Sequence, residues 1–147
     1  TIHPRIGTQQ YKGTVNMEAF DEFYALCKHP IIYNGDVTSI KDIQNLEEKY
    51  PKLAGVMIGR GLLTRPSLAS EYVTGVELSW EKRRPVLLDF HDRLKAHYET
   101  TANSEAQVHS RLRLFWEYME EELGKKVYKK IMKAGNLKNY LNAVREI

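Results

Sequence analysis

Pro30-Ile31-Ile32-Tyr33-Asn34-Gly35-Asp36-Val37 places three consecutive apolar residues between a proline and a glycine-containing turn. Gly55-Val56-Met57-Ile58-Gly59-Arg60-Gly61 repeats the arrangement, with Gly59 lying 25 residues after Asn34. Short continuous apolar runs ending at such turns read as parallel strands buried on both faces. Ile2 closes a third strand of the same kind, 31 residues separating His3 from Asn34. The intervening segments read as helices. Asn16 caps one that carries Phe20, Phe23, Tyr24 and Cys27 on one face and stops by Pro30. Ser39 with Asp42 forms a capping box for another, in which Ile40, Ile43, Glu47 and Tyr50 follow the helical period up to Pro51. The order is strand, helix, strand, helix, strand, the signature of an α/β fold with parallel strands joined by helices.

From about Glu77 onward the strand signals vanish. Leu87, His91, Leu94 and Tyr98 make one helical stripe, Val108, Leu112, Phe115 and Met119 a second, and Leu137, Tyr140, Leu141 and Val144 a third. Gly124 and Gly135 read as helix stops, and Thr100 to Ser104 as a polar turn. The expected organisation is therefore two domains, residues 1–76 built of βα units and residues 77–147 an α-helical bundle.

Composition bounds the function classes. The 147 residues, 42% hydrophobic and 28% charged, describe a globular chain that is neither disordered nor fibrous. No stretch has the roughly 18 apolar residues of a membrane span, and the first residues lack signal-peptide character, so no membrane association and a cytoplasmic location are expected. The single cysteine, Cys27, excludes an internal disulfide and a multi-cysteine zinc site. Net charge is +3, and its excess lies in the second half: residues 1–76 hold eight Lys and Arg against eight Asp and Glu, whereas residues 77–147 hold 14 against 11. That bias permits a polyanionic partner.

Three turns, His3-Pro4-Arg5, Asn34-Gly35-Asp36 and Gly59-Arg60-Gly61, fall at the carboxyl ends of the three strands, the edge where parallel α/β architectures bind ligands. Glycines at 35, 59 and 61 would let backbone amides approach a phosphate, Arg60 would neutralise it, and a short helix after Arg65-Pro66 would add its positive end. His3 is a candidate donor to a ring ligand and Asp36 an acceptor for a sugar hydroxyl. Each turn is equally an ordinary turn former, and spacing alone does not separate the readings.

Two and a half parallel strands cannot close a barrel and leave apolar edges. The chain also starts on a strand end and without methionine. It is expected to be the carboxy-terminal part of a longer protein.

Four blocks together carry a family resemblance: Thr1-Ile2-His3-Pro4-Arg5, Gln10-Tyr11-Lys12-Gly13, Pro30 to Val37, and Gly55 to Leu63 with Pro66. In order and spacing they resemble the tRNA-dihydrouridine synthases. The likeness is detailed over residues 1–70 and continues through the helical region, where Trp80 and Arg111-Leu112-Arg113-Leu114-Phe115-Trp116 look like the family's tRNA-binding helical domain. The resemblance implies an FMN-dependent (β/α)8 TIM barrel, of which this chain supplies the last strands, followed by the helical domain. It implies reduction of a tRNA uridine to dihydrouridine, with NADPH as reductant. It assigns His3 to the flavin ring, Asn34, Gly35 and Asp36 to the ribityl-phosphate end, and Gly59 and Arg60 to the phosphate, with Arg5 on the substrate side. The family's proton-donating cysteine belongs to a loop that this sequence does not contain. Cys27 reads as a core residue of its helix, so the chain alone is expected to be catalytically silent.

The helical half reads independently as an RNA-binding surface. His109 and Arg113 are four apart on one helix with Arg111 beside them, and Lys125, Lys126, Lys129, Lys130 and Lys133 form a second basic segment with Val127, Tyr128 and Ile131 on its buried side. Glu117, Glu120, Glu121 and Glu122 precede it and oppose its field. Trp116 and Tyr118 are either base-stacking or core aromatics. Two other readings compete with a synthase. One is an FMN-dependent barrel oxidoreductase acting on a small molecule. The other is a stand-alone RNA-binding module whose exposed barrel edges are covered by self-association.

Overall fold

Asn16 begins the first helix by accepting from the Ala19 amide at 3.0 Å, which satisfies a donor the helix itself leaves open. That helix, α1 (Met17–Leu26), ends four residues before Pro30 and leads into β1 (Ile31–Asn34). Ser39 and Asp42 then form the expected reciprocal capping box at the start of α2 (Ile40–Lys49). Burial works against ionising Asp42, but its bonds from Thr38 and Ser39 prevail and hold its carboxyl below the usual range. β2 (Leu53–Met57), α3 (Arg60–Thr64) and α4 (Leu68–Thr74) follow. The computed structural model describes residues 1–10 and 12–147; Tyr11, part of the second block of the resemblance, lies outside the described residues.

The fold is mixed α/β and mostly helical, and its small sheet is parallel. β1 pairs with β2, Tyr33 opposite Val56 and Asn34 opposite Met57, with an irregularity between Ile31 and Ile32. Ile2 adds a parallel bridge on the other side of β1, donating to the Ile32 carbonyl and accepting from the Asn34 amide, each at 2.9 Å. The core of this part centres on Phe20. Its ring meets Tyr33 and Tyr50 edge-on, with centroids 4.9 and 5.0 Å away, and Ile31, Val37, Ile43 and Leu46 complete the buried set.

Three expectations about this core need correction. The strands are covered on one face only: Ile31 and Tyr33 are buried beneath the helices, while Ile32 is 37% and Met57 48% exposed. The reason is that the side chains alternate, and the helices packed on this sheet lie on one side. Phe23 is 41% exposed, because the α1 stripe that reaches the sheet runs through Phe20, Tyr24 and Cys27. In α2 the buried position is Leu46 rather than Glu47, which instead takes a hydrogen bond from the Tyr72 hydroxyl at 2.6 Å.

The chain divides into two units, Thr1–Gly75 and Val76–Ile147. In the second, α5 (Trp80–Thr101), α6 (Glu105–Phe115), α7 (Glu120–Leu123), α8 (Lys125–Lys133) and α9 (Leu137–Val144) pack around a core of Leu87, Val108, Leu112, Trp116, Ile131 and Tyr140. Helix α5 continues through Thr101, so the polar turn is shorter than its composition suggests, and Ser104 caps α6. Gly124 sits at φ 74°, a conformation that suits glycine between α7 and α8. Trp116 is fully buried and Tyr118 is 41% exposed, which makes the first a core aromatic. Among the described residues no helix is long and apolar enough to cross a membrane.

A polar knot lies inside this apolar core. The Tyr140 hydroxyl accepts from Trp116 Nε1 at 2.9 Å, lies 2.8 Å from His91 Nε2 and reaches the Leu112 carbonyl at 3.2 Å. Burial raises the Tyr140 phenol far above its ordinary value and pushes the His91 imidazole down, against a smaller opposing pull from Asp92. The folded unit therefore favours neutral His91. The unfolded chain binds that proton more readily below about pH 6.5, so stability must fall as the pH drops from there and level off below the folded pKa. The loss is expected to be no steeper than about 1.4 kcal/mol per pH unit. Urea midpoints followed by tryptophan fluorescence between pH 7.5 and 5.5 would measure it, since Trp80 and Trp116 both belong to this unit. His91→Gln should flatten the profile; an equally steep profile in that variant would assign the effect elsewhere.

Candidate functional site

Strand parallelism brings the three sequence-predicted turns to one edge. Asp36 leaves β1 in a left-handed conformation, φ 46°, uncommon for a residue with a side chain. Its carboxylate joins two arginines from separate turns: Arg5 grips both oxygens, through Nη1 at 2.9 Å and through Nη2, and Arg60 Nη2 reaches Oδ1 at 3.1 Å. The forked pairing is the geometry for which guanidinium is suited. Arg5 also donates to the Gly13 carbonyl at 2.8 Å, which ties the loop after the first strand to the cluster. The Arg5 side chain is 4% exposed, its charge is reinforced by Asp36, and its Nε–H is buried without a partner among the described residues.

The turn residues then separate by task. Asn34 donates through Nδ2 to the Met57 carbonyl at 2.8 Å, so its amide bridges β1 to the end of β2. Gly35 is buried, and a Cβ there would fall 2.7 Å from Val15 Cγ1 and 3.0 Å from the Tyr33 hydroxyl. Gly61 is tighter, with a Cβ position 2.1 Å from the Val37 carbonyl oxygen. Both glycines answer close packing. Gly59 alone of the three has nothing within 4 Å of its Cβ position. The short helix expected after Arg65-Pro66 is α4, and a further one, α3, starts directly at Arg60. His3 is exposed one residue beyond Ile2, at the level of this edge, and its carbonyl accepts from the Arg5 amide at 2.8 Å. The edge therefore gathers Arg5, Asp36, Arg60 and the open Gly59, a cationic arrangement built around one carboxylate.

In the helical unit the three α6 residues do not form a single cationic row. Arg113 is half-buried, with Nη1 3.4 Å from the Met132 carbonyl. His109 stacks edge-on against Tyr140, centroids 5.4 Å apart, and burial lowers its pKa with help from Arg113. Arg111 is exposed and lies over the Tyr98 ring at 5.6 Å. The lysines of α8 are exposed, Lys130 pairing with Glu146, and Ile131 is buried beneath them. Cys27 is half-buried against the α/β core, with Sγ 3.8 Å from the His29 carbonyl.

A fully buried ionic group escaped the sequence reading. Glu71, 1% exposed, accepts from both Arg65 and the Ser67 hydroxyl and joins α4 to the end of α3. Its only sequence signal is a carboxylate six residues after an arginine, too common to be read. Among the described residues no group of histidine, cysteine and carboxylate side chains is arranged to hold a metal ion.

A short parallel α/β sheet whose carboxyl edge is lined by arginines, followed by a helical unit, defines the class as a mixed α/β fold with a helical extension. The family model described as dihydrouridine synthase (Dus) matches residues 1–146, and the chain belongs to that family. It is 31% identical over 99 residues to a probable tRNA-dihydrouridine synthase of Rickettsia bellii, an alignment covering 67% of this chain and 30% of the relative. A tRNA-dihydrouridine(16) synthase of Aquipseudomonas alcaligenes is 30% identical over 95 residues, covering 60% of this chain and 30% of the relative. A tRNA-dihydrouridine(20a/20b) synthase [NAD(P)+] of Schizosaccharomyces pombe is 36% identical over 73 residues, covering 49% and 22%. The chain spans about 30% of the length of the bacterial relatives it matches.

Proposed function

We propose that this chain supplies the phosphate-binding edge and the RNA-binding helical unit of a flavin-dependent tRNA-dihydrouridine synthase. The observation that carries the reading is the convergence of Arg5 and Arg60 on Asp36 beside open Gly59, at the carboxyl edge of a parallel sheet. The residues present fit the phosphate end of FMN. Two guanidinium groups face one carboxylate, and Arg5 keeps a buried N–H in need of an acceptor. Bound there, FMN would supply the electron-transfer chemistry of uracil reduction, with NADPH as the reductant.

The chain's own residues orient and hold. Asp36 keeps the two arginines from repelling each other and fixes Arg60 next to Gly59, whose backbone is open to a phosphate. Asn34 anchors the β1–β2 edge, and His3 extends from the same edge toward a ring ligand. The uncovered sheet face carrying Ile32 and Met57 fits the interior of a larger parallel barrel. Cys27, packed into the core side of α1, is not placed to protonate a substrate, so the acid of the reaction belongs outside this chain. Arg111, the exposed cation of α6, presents the helical unit to tRNA, the partner named for the relatives.

The test is mass spectrometry of tRNA nucleosides from cells lacking the gene that encodes this chain, complemented with the intact gene, with its Arg60→Ala version, or with residues 1–147 alone. The intact gene should restore a lost dihydrouridine, the variant should restore it poorly and purify with less flavin absorbance, and the 147 residues should restore none. Unchanged dihydrouridine after deletion, with redundant synthases also removed, would overturn the assignment.

A further inference from the structure

A cavity of about 490 Å³ opens between α5 and the carboxy-terminal helix α9, and none of His109, Arg111 and Arg113 lines it. Spacing explains its make-up. Arg84, Leu88, His91 and Lys95 recur at three- and four-residue intervals and so share one face of α5, while Leu141, Val144 and Arg145 come from α9 and its carboxyl end. Leu88, Leu141 and Val144 supply an apolar floor, and Arg84, Lys95 and Arg145 a cationic rim.

Charge at the rim is only partly compensated. Asp92 is the one acidic side chain among the lining residues and lies 3.4 Å from His91 Nδ1. Lys95 is paired with Glu99 at 2.6 Å, whereas Arg145 has only the neutral Asn142 amide at 3.4 Å. Arg84, exposed, has no side-chain partner among the described residues. A ligand matching this surface has a flat apolar body against the aliphatic floor and an anionic group between the arginines. A nucleotide within an RNA strand has both, and guanidinium planes bind it through charge and through stacking.

We infer that the α5–α9 groove is an RNA-binding subsite in which Arg84 and Arg145 neutralise backbone phosphate while Leu88 and Val144 support a nucleotide. This inference rests on the tRNA reading and adds to it a site that the α6 residues do not form.

The experiment is filter binding of unfractionated tRNA to the 147-residue chain across a salt series. Arg84→Ser/Arg145→Ser should weaken binding at least about tenfold and make the log–log salt dependence shallower by about 2, one for each phosphate no longer neutralised. Lys126→Ser/Lys133→Ser removes the same charge from α8 and should weaken binding less. Ala96→Trp, which adds bulk at an exposed lining position, should weaken binding with the salt slope unchanged. Circular dichroism confirms that each variant is folded. Equal losses in the α5–α9 and α8 variants would overturn the groove, as would wild-type affinity in the α5–α9 variant; either result leaves the synthase reading standing. Failure of the wild-type chain to bind tRNA at low salt would overturn the groove together with the RNA-binding role of the helical unit.

Discussion

Gly61→Ala will cost the α/β unit more than about 3 kcal/mol, beyond the ordinary range for one extra methyl group in a packed region. The added Cβ would stand 2.1 Å from the Val37 carbonyl oxygen, 3.0 Å from Ile58 Cγ2 and 3.2 Å from Thr38 Cα. Two of those atoms are backbone and cannot rotate aside. Relief requires α3 to move away from the β1–α2 connection, and that movement takes Arg60 away from Asp36. Near-UV circular dichroism in urea would follow the transition, because Phe20, Tyr24, Tyr33 and Tyr50 cluster in this unit and both tryptophans lie in the other. Gly59→Ala is the control. Its Cβ meets nothing within 4 Å, so the change should be far smaller than for Gly61→Ala. A Gly61→Ala midpoint as close to wild type as that control would show that the packing against Val37 is not rigid.

Tyr140→Phe is the second large effect, expected to destabilise the helical unit by about 2–4 kcal/mol while changing its volume little. The hydroxyl removed is fully buried and serves Trp116 Nε1, His91 Nε2 and the Leu112 carbonyl together. Without it the indole N–H and one imidazole nitrogen stay buried and unsatisfied. Urea denaturation read by tryptophan fluorescence gives the loss directly. A double-mutant cycle with Trp116→Phe should return part of it, because the orphaned donor is then absent too. A loss below about 1 kcal/mol would mean that water reaches the knot or that the rings shift to new partners.

What was legible beforehand is what acts over a few residues. Asn16 and the Ser39–Asp42 pair marked helix starts correctly because a cap bonds an amide three residues on. Ile31 to Tyr33 and Val56 to Met57 read as strands because apolar runs between turn residues have few other uses. The stripe of Leu87, His91, Leu94 and Tyr98 traced one face of α5 for the same reason. Where local pattern left the flank of a stripe open, it chose poorly: Phe23 and Glu47 lie at the flanks of their helical faces, and only the position of the sheet shows that Phe23 turns outward and that Leu46 is the inward neighbour of Glu47.

The sequence by itself determined the alternation of strands and helices, the two-part organisation, the family blocks and the set of turns that reach the carboxyl edge. The family blocks rest on resemblance, and the rest follows from periodicity, capping or spacing along the chain. Tertiary structure alone decided that Asp36 couples Arg5 to Arg60 across 31 and 24 positions, and that Gly35 and Gly61 are packing glycines while Gly59 is open. It alone placed Trp116 in the core, tied to Tyr140 24 residues on. Hydrogen bonds and steric exclusions act over a few ångströms in space, and no distance along the chain states which residues folding brings within that reach.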